Sequence, residues 1–156
     1  MRTSWESSGP RPVLLAGVGN PDRGDDGFGP AVLARLARLS LPEAEQITCA
    51  RPLDLLDRWP GRRLAIVVDA ALGEEPGRLR RLEPLCQGLP LATACSTHGF
   101  GLAEAIELGR SLGLLPARLI VYAAEGLDFS PGVPLSAPIA AAVEEAAARI
   151  AEECRG

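Results

Sequence analysis

Apolar residues in this chain follow two patterns, short unbroken runs and stripes at helical spacing. Val13-Leu14-Leu15-Ala16 is an unbroken run stopped by Gly17, as expected of a strand buried on both faces. After Gly29-Pro30, Val32, Leu33, Leu36 and Leu39 recur at helical spacing with Arg35 and Arg38 between them, predicting an amphipathic helix over Ala31 to Leu39. Leu41-Pro42 ends it. Gln46 to Ala50 reads as a short second strand, and Pro52 starts a brief helix over Leu53 to Arg58, closed by Pro60. Leu64-Ala65-Ile66-Val67-Val68 is the clearest strand and ends in Asp69. Gly77 to Leu82 reads as a further strand, and residues 84–98 as a loop. Leu102, Ala105, Ile106, Gly109 and Leu112 mark a helix ended by Gly113. Leu119 to Ala123 is the last strand. Ser136 is placed as an N-cap with Pro138 in the first turn, and Ile139, Val143, Ala146 and Ile150 line one face of the final helix.

The order βαβαββαβα predicts an α/β fold with three layers, α/β/α, around a mostly parallel five-stranded sheet. No helix fits between the strands at 64–68 and 77–82. The second of them is therefore expected to run antiparallel at an edge, where its arginines reach water. Residues 1–11 are polar up to Gly9-Pro10 and are expected to form a mobile tail, with a single domain over residues 12–156.

Composition narrows the classes. Aromatic residues are 4% of the chain, so Leu, Ala, Val and Ile must build the core. A net charge of −4 with no basic stripe argues against a nucleic-acid partner. No apolar run approaches the ~18 residues of a membrane span, and the first residues lack a signal-peptide apolar region. A cytoplasmic protein without a membrane segment is expected. The four cysteines, at 49, 86, 95 and 154, form no CxxC pair and are read as buried apolar residues rather than disulfides.

The chemistry centres on the first strand's loop, Gly17-Val18-Gly19-Asn20-Pro21-Asp22-Arg23-Gly24-Asp25-Asp26-Gly27-Phe28-Gly29. It carries three carboxylates and one cation. Such a loop repels phosphate and suits a metal or another cation. In GxGxxG the third glycine would fall at Asp22, so a nucleotide cofactor of Rossmann type is disfavoured. Ligands of such sheets lie at the carboxyl ends of the parallel strands. Asp25 and Asp26 follow the first strand, Asp69 ends the third, and His98, the only histidine, stands in the loop before a helix. Two carboxylates and an imidazole from separate loops suit a borderline divalent metal such as Ni²⁺ or Zn²⁺. Helix capping remains an alternative for Asp25 or Asp26. Cys95 has CxxH spacing to His98 but lacks a second nearby cysteine, and is read as a buried thiol.

Gly17-x-Gly19-Asn20, Asp25-Asp26-Gly27-x-Gly29, Val67-Val68-Asp69-Ala70 and Thr97-His98 together resemble the hydrogenase maturation endopeptidase family. Glu125-Gly126-Leu127-Asp128 and Leu135-Ser136-Ala137-Pro138 resemble its C-terminal portion, and the similarity runs from about Val13 to Ala148. The resemblance implies an endopeptidase that cuts the C-terminal extension from the large-subunit precursor of a nickel–iron hydrogenase after nickel insertion. It implies that Asp26, Asp69 and His98 are the metal-contacting and catalytic residues. Asn20 and Asp25 match the motif and are candidate substrate-binding residues. The nickel is expected to arrive with the precursor, and no strong intrinsic zinc site is expected. The alternative is a nickel-dependent chaperone of the same fold that holds the precursor without cutting it.

Overall fold

The computed structural model describes residues 11–87 and 101–156. In chain order the elements are β1 (Val13–Val18), a 3₁₀ turn (Gly24–Gly27), α1 (Phe28–Leu36), β2 (Ala44–Cys49), a second 3₁₀ turn (Pro52–Leu55), β3 (Leu64–Ala71), β4 (Leu79–Leu82), the helical turn α2 (Pro84–Gln87), α3 (Leu102–Leu112), β5 (Leu119–Glu125) and α4 (Ala137–Arg155). The strands form one sheet in the order β2-β1-β3-β5-β4. All pairs are parallel except β4 with β5, which is antiparallel at the sheet edge. Among the described residues, no helix is long and apolar enough to cross a membrane.

The three inner strands are buried along their whole length, which is why they read as unbroken apolar runs. The two edge strands are mostly half-buried. Side chains of successive strand residues alternate between two cores. Val13, Leu15, Ile66, Val68, Ile120 and Tyr122 pack with α1 and α4. Leu14, Ala16, Val18, Ala65, Val67 and Val121 pack with Trp59 and α3. By that alternation Asp69 belongs to the α3 face.

Several boundaries differ from the sequence reading. The stretch read as a loop from residue 84 opens with the helical turn α2, Pro84–Gln87, and β2 and β4 begin at Ala44 and Leu79 rather than at Gln46 and Gly77. β3 does not stop at Val68 but runs through Asp69 to Ala71, because β5 continues beside it and pairs Asp69 with Ala123 and Ala71 with Glu125. α1 ends at Leu36, leaving Leu39 40% exposed beyond the helix rather than on its buried stripe. The brief helix expected at Leu53 to Arg58 is only a 3₁₀ turn, Pro52–Leu55. Gly113 does end α3, in the left-handed region at φ +70°.

The topology fixes where a ligand can sit. From β1 the chain goes to β2 on one side and then returns to place β3 on the other. The crevice outside the carboxyl ends of β1 and β3 is therefore the switch point of the sheet. The loop after β1 and the last residues of β3 flank it.

Candidate active site at the β1–β3 switch point

The loop after β1 is built by backbone constraints. Gly19 has φ +138°, and a Cβ there would lie 2.0 Å from the Asp26 carbonyl oxygen, so only glycine lets the loop close on itself. Asn20 then ties the turn at both ends. Its backbone N–H donates to Asp26 Oδ2 at 2.9 Å, and its Oδ1 accepts from the Asp22 N–H at 2.9 Å. These contacts hold the Asp26 carboxylate, whose residue is 3% exposed, at the mouth of the switch point.

Asp69 stands across from it on β3, 5% exposed. Its Oδ1 is buried with no hydrogen-bond partner. Burial and then the Asp26 charge push its carboxyl well above the usual range, offset only in part by the Ala70 N–H. Two neighbouring buried carboxylates, one with an orphaned oxygen, form a site that a cation or a proton would relieve. The donor set is all oxygen, so the two together offer anchors for a divalent metal but do not complete a coordination sphere. Among the described residues, no three His, Cys, Asp or Glu side chains group so as to hold a metal. His98 and Cys95 lie outside the described residues.

Cys49 is a neighbour that sequence reading missed. It ends β2 and pairs with Val18 across the sheet. Burial, Asp54 and Asp69 push its thiol up to about 11, so it stays a neutral thiol near the site at ordinary pH. The only signal for it was the strand order, which brings the carboxyl end of β2 beside that of β1. The expectation that the cysteines are buried does not hold for those described. Cys49 and Cys154 are half-buried, Cys86 is exposed, and all three are free.

Asp25 is built differently from Asp26. It is 0% exposed. Oδ2 accepts from the N–H groups of Leu127 and Asp128 and from the Ser136 hydroxyl, at 2.7, 3.1 and 2.8 Å, and Oδ1 accepts from the Ser136 N–H at 2.7 Å. Burial would raise its pKa, but these donors outweigh it and hold the carboxyl below its ordinary value. Neither Asp25 nor Asp26 caps α1, which has no side-chain cap at its start. Ser136 does stand at the N-cap of α4, yet its hydroxyl turns to Asp25 instead of capping the helix.

A doubly wound α/β domain with an acidic cleft at its switch point defines a broad class of ligand-handling proteins, and comparison with known proteins narrows it. The hydrogenase maturation protease family model HycI matches residues 50–153. The fold resembles the hydrogenase maturating endopeptidase HybD of E. coli, with 22% identity, 92% of this chain and 91% of that one covered, and a TM-score of 0.76. It also resembles the [NiFe] hydrogenase maturation protease HycI of Thermococcus kodakarensis, with 26% identity, 96% of both chains covered and a TM-score of 0.71. The hydrogenase 2 maturation peptidase of Thaumarchaeota archaeon SCGC_AB-539-E09 is 32% identical over 90% of this chain and 96% of that one, with a TM-score of 0.63. A comparison with curated proteins gives no match. The chain belongs to the hydrogenase maturation protease family, and it is an endopeptidase.

Proposed function

We propose that this endopeptidase removes the C-terminal extension of a nickel–iron hydrogenase large-subunit precursor once nickel has been inserted, and that it reads the nickel carried by that substrate. Asp26 and Asp69, with His98 from the segment before α3, are the side chains assigned to complete the coordination of the substrate's metal. The observation that carries this reading is the buried, unpartnered Oδ1 of Asp69 beside the Asp26 carboxylate. Such an arrangement is costly in the free chain and is relieved by a cation. It also accounts for discrimination: a precursor without nickel brings nothing to relieve the orphaned oxygen of Asp69.

The chain's own contribution is to orient and to exclude water. The Asn20 N–H fixes one oxygen of Asp26, and the Ala70 N–H supports Asp69. A metal held there would polarise the scissile carbonyl or lower the pKa of a bound water. Asp69, with its raised pKa, can hold a proton at its carboxyl when no cation is present. The substrate is thus a metal-loaded protein with an extended tail, and the partner is the hydrogenase precursor.

The test is mass spectrometry of a purified nickel-loaded precursor before and after incubation with the protein. Loss of one C-terminal peptide is expected, and none with Asp69→Asn. Precursor bound tightly but recovered intact would instead establish a holding role.

A further inference from the structure

The segment after β5 and the loop after β1 are tied at more points than packing alone requires. The Asp25 carboxylate takes four donors from Leu127, Asp128 and Ser136. The Asp25 N–H donates to the Asp128 carbonyl at 2.8 Å, and the Gly132 N–H donates to the Asp22 carbonyl at 2.8 Å. Gly24, at φ +54°, has the Asp128 carbonyl 2.3 Å from where a Cβ would stand, so the two backbones meet without room for a side chain. Gly126 approaches from the other side, with Asp25 Cβ 3.1 Å from its own Cβ position. Every donor to Asp25 comes from residues more than a hundred positions away.

We propose that Asp25 is a positioning residue for the cleavage reaction: it locks the 3₁₀ turn Gly24–Gly27 onto the 126–136 segment and so sets where its neighbour Asp26 stands. This rests on the function proposed above for Asp26. Asp25 does not touch the substrate, because it is fully buried and both its oxygens are engaged within the chain. The clamp joins the carboxyl ends of β1 and β5, with β3 and Asp69 between them in the sheet. Asp26 is held from one side by Asn20 and from the other by this neighbour, so the distance from Asp26 to Asp69 follows from the lock. An amide cannot replace the carboxylate. Turning the Asn oxygen to the Leu127, Asp128 and Ser136 hydroxyl donors sets its NH₂ against the Ser136 N–H, and the opposite turn sets it against two backbone N–H groups.

The test uses Asp25→Asn and Ser136→Ala in the full chain, with Asp69→Asn as the inactive control. Ser136→Ala removes the hydroxyl donor and leaves the three backbone donors of the lock, at Leu127, Asp128 and Ser136, intact. Cleavage of nickel-loaded precursor is measured at a temperature where circular dichroism shows each variant folded. Hydrogen exchange is followed at Leu127, Asp128 and Ser136. Asp25→Asn is expected to lower kcat by roughly 100-fold with KM within about threefold, since a misplacement of about 1 Å costs that much. Exchange at those amides should accelerate. Ser136→Ala should lower kcat by about three- to tenfold, in the same direction. A raised KM with unchanged kcat would make Asp25 a substrate contact and overturn the proposal. Full kcat in folded Asp25→Asn would overturn it as well. Should Asp25→Asn not fold, Ser136→Ala decides, and an unchanged kcat there rejects the lock. If wild-type protein leaves the precursor intact, the proposed function fails instead, while the exchange data still report whether Asp25 holds the two segments together.

Discussion

Asp69→Asn should make this protein more stable while removing its activity. Asp69 is 5% exposed, its Oδ1 has no partner, and Asp26 adds a second negative charge nearby. Asparagine keeps the shape and the Ala70 contact but carries no charge. It still buries one imperfectly satisfied group, so the gain is the charge penalty alone, about 1–2 kcal/mol for a buried ionisable group with one unsatisfied oxygen. For a chain of 156 residues that corresponds to a rise in Tm of roughly 3–6 °C. The pH dependence gives the sharper test. The folded-state pKa of Asp69 lies above its unfolded value. Its contribution is therefore full below the unfolded pKa, about 4, and is lost as pH rises through the folded pKa. The variant and the wild type should melt together in acid, and the variant should gain with rising pH. Thermal unfolding followed by circular dichroism between about pH 4 and pH 8 measures this without metal or substrate. A variant less stable than wild type at pH 8, or a gap that does not change with pH, would refute the reasoning.

Other expectations follow from the scaffold. Gly24→Ala forces a side chain into the left-handed region against the Asp128 carbonyl, and should destabilise by about 1–3 kcal/mol in urea unfolding. Arg62, 5% exposed, donates to the Arg11 and Arg58 carbonyls and to Glu45; Arg62→Ala should cost about 3 kcal/mol, and a Glu45→Gln change made on top of it should cost little more. Chiefly through its Arg62 hydrogen bond, Glu45 has a lowered pKa, so the stability it adds is present above its unfolded pKa and is lost as pH falls through the folded one. Tyr122, the single tyrosine, is pushed up to about 12 by burial and by its hydrogen bond to Glu153. A near-ultraviolet titration should show one phenolate transition near that pH, and a midpoint close to 10 would show that the contact does not form.

What could be read from the sequence was whatever depended on near neighbours. The apolar run at Val13 predicted a strand buried on both faces, and β1 is one. The lack of room for a helix between β3 and β4 predicted an antiparallel edge, and β4 is that edge. The nearness of Asp26 and Asp69 followed from the order of the strands, because both stand at carboxyl ends of parallel neighbours. The sequence misled where a distant strand or loop decides. Asp69 looked like a strand end because a charge usually stops a buried run, but pairing with β5 carries β3 past it. Leu39 fits the stripe of α1, yet the helix ends before reaching it. Asp25 and Asp26 are adjacent and chemically alike, so no local pattern distinguishes them. Only the donors at 127, 128 and 136 separate a carboxylate saturated inside the chain from one standing at the cleft. The parts of the site read from His98 and Cys95 fall outside the described residues.

The claim that nickel on the substrate is what this protease reads is tested most directly by one paired digestion. The same large-subunit precursor, purified once with nickel and once without, is incubated with wild-type protein and with His98→Ala, and each product is weighed by mass spectrometry. Wild-type protein should release a C-terminal peptide from the nickel-loaded precursor alone, and His98→Ala should release none. Equal cleavage of the nickel-free precursor, or undiminished cleavage by His98→Ala, would contradict it.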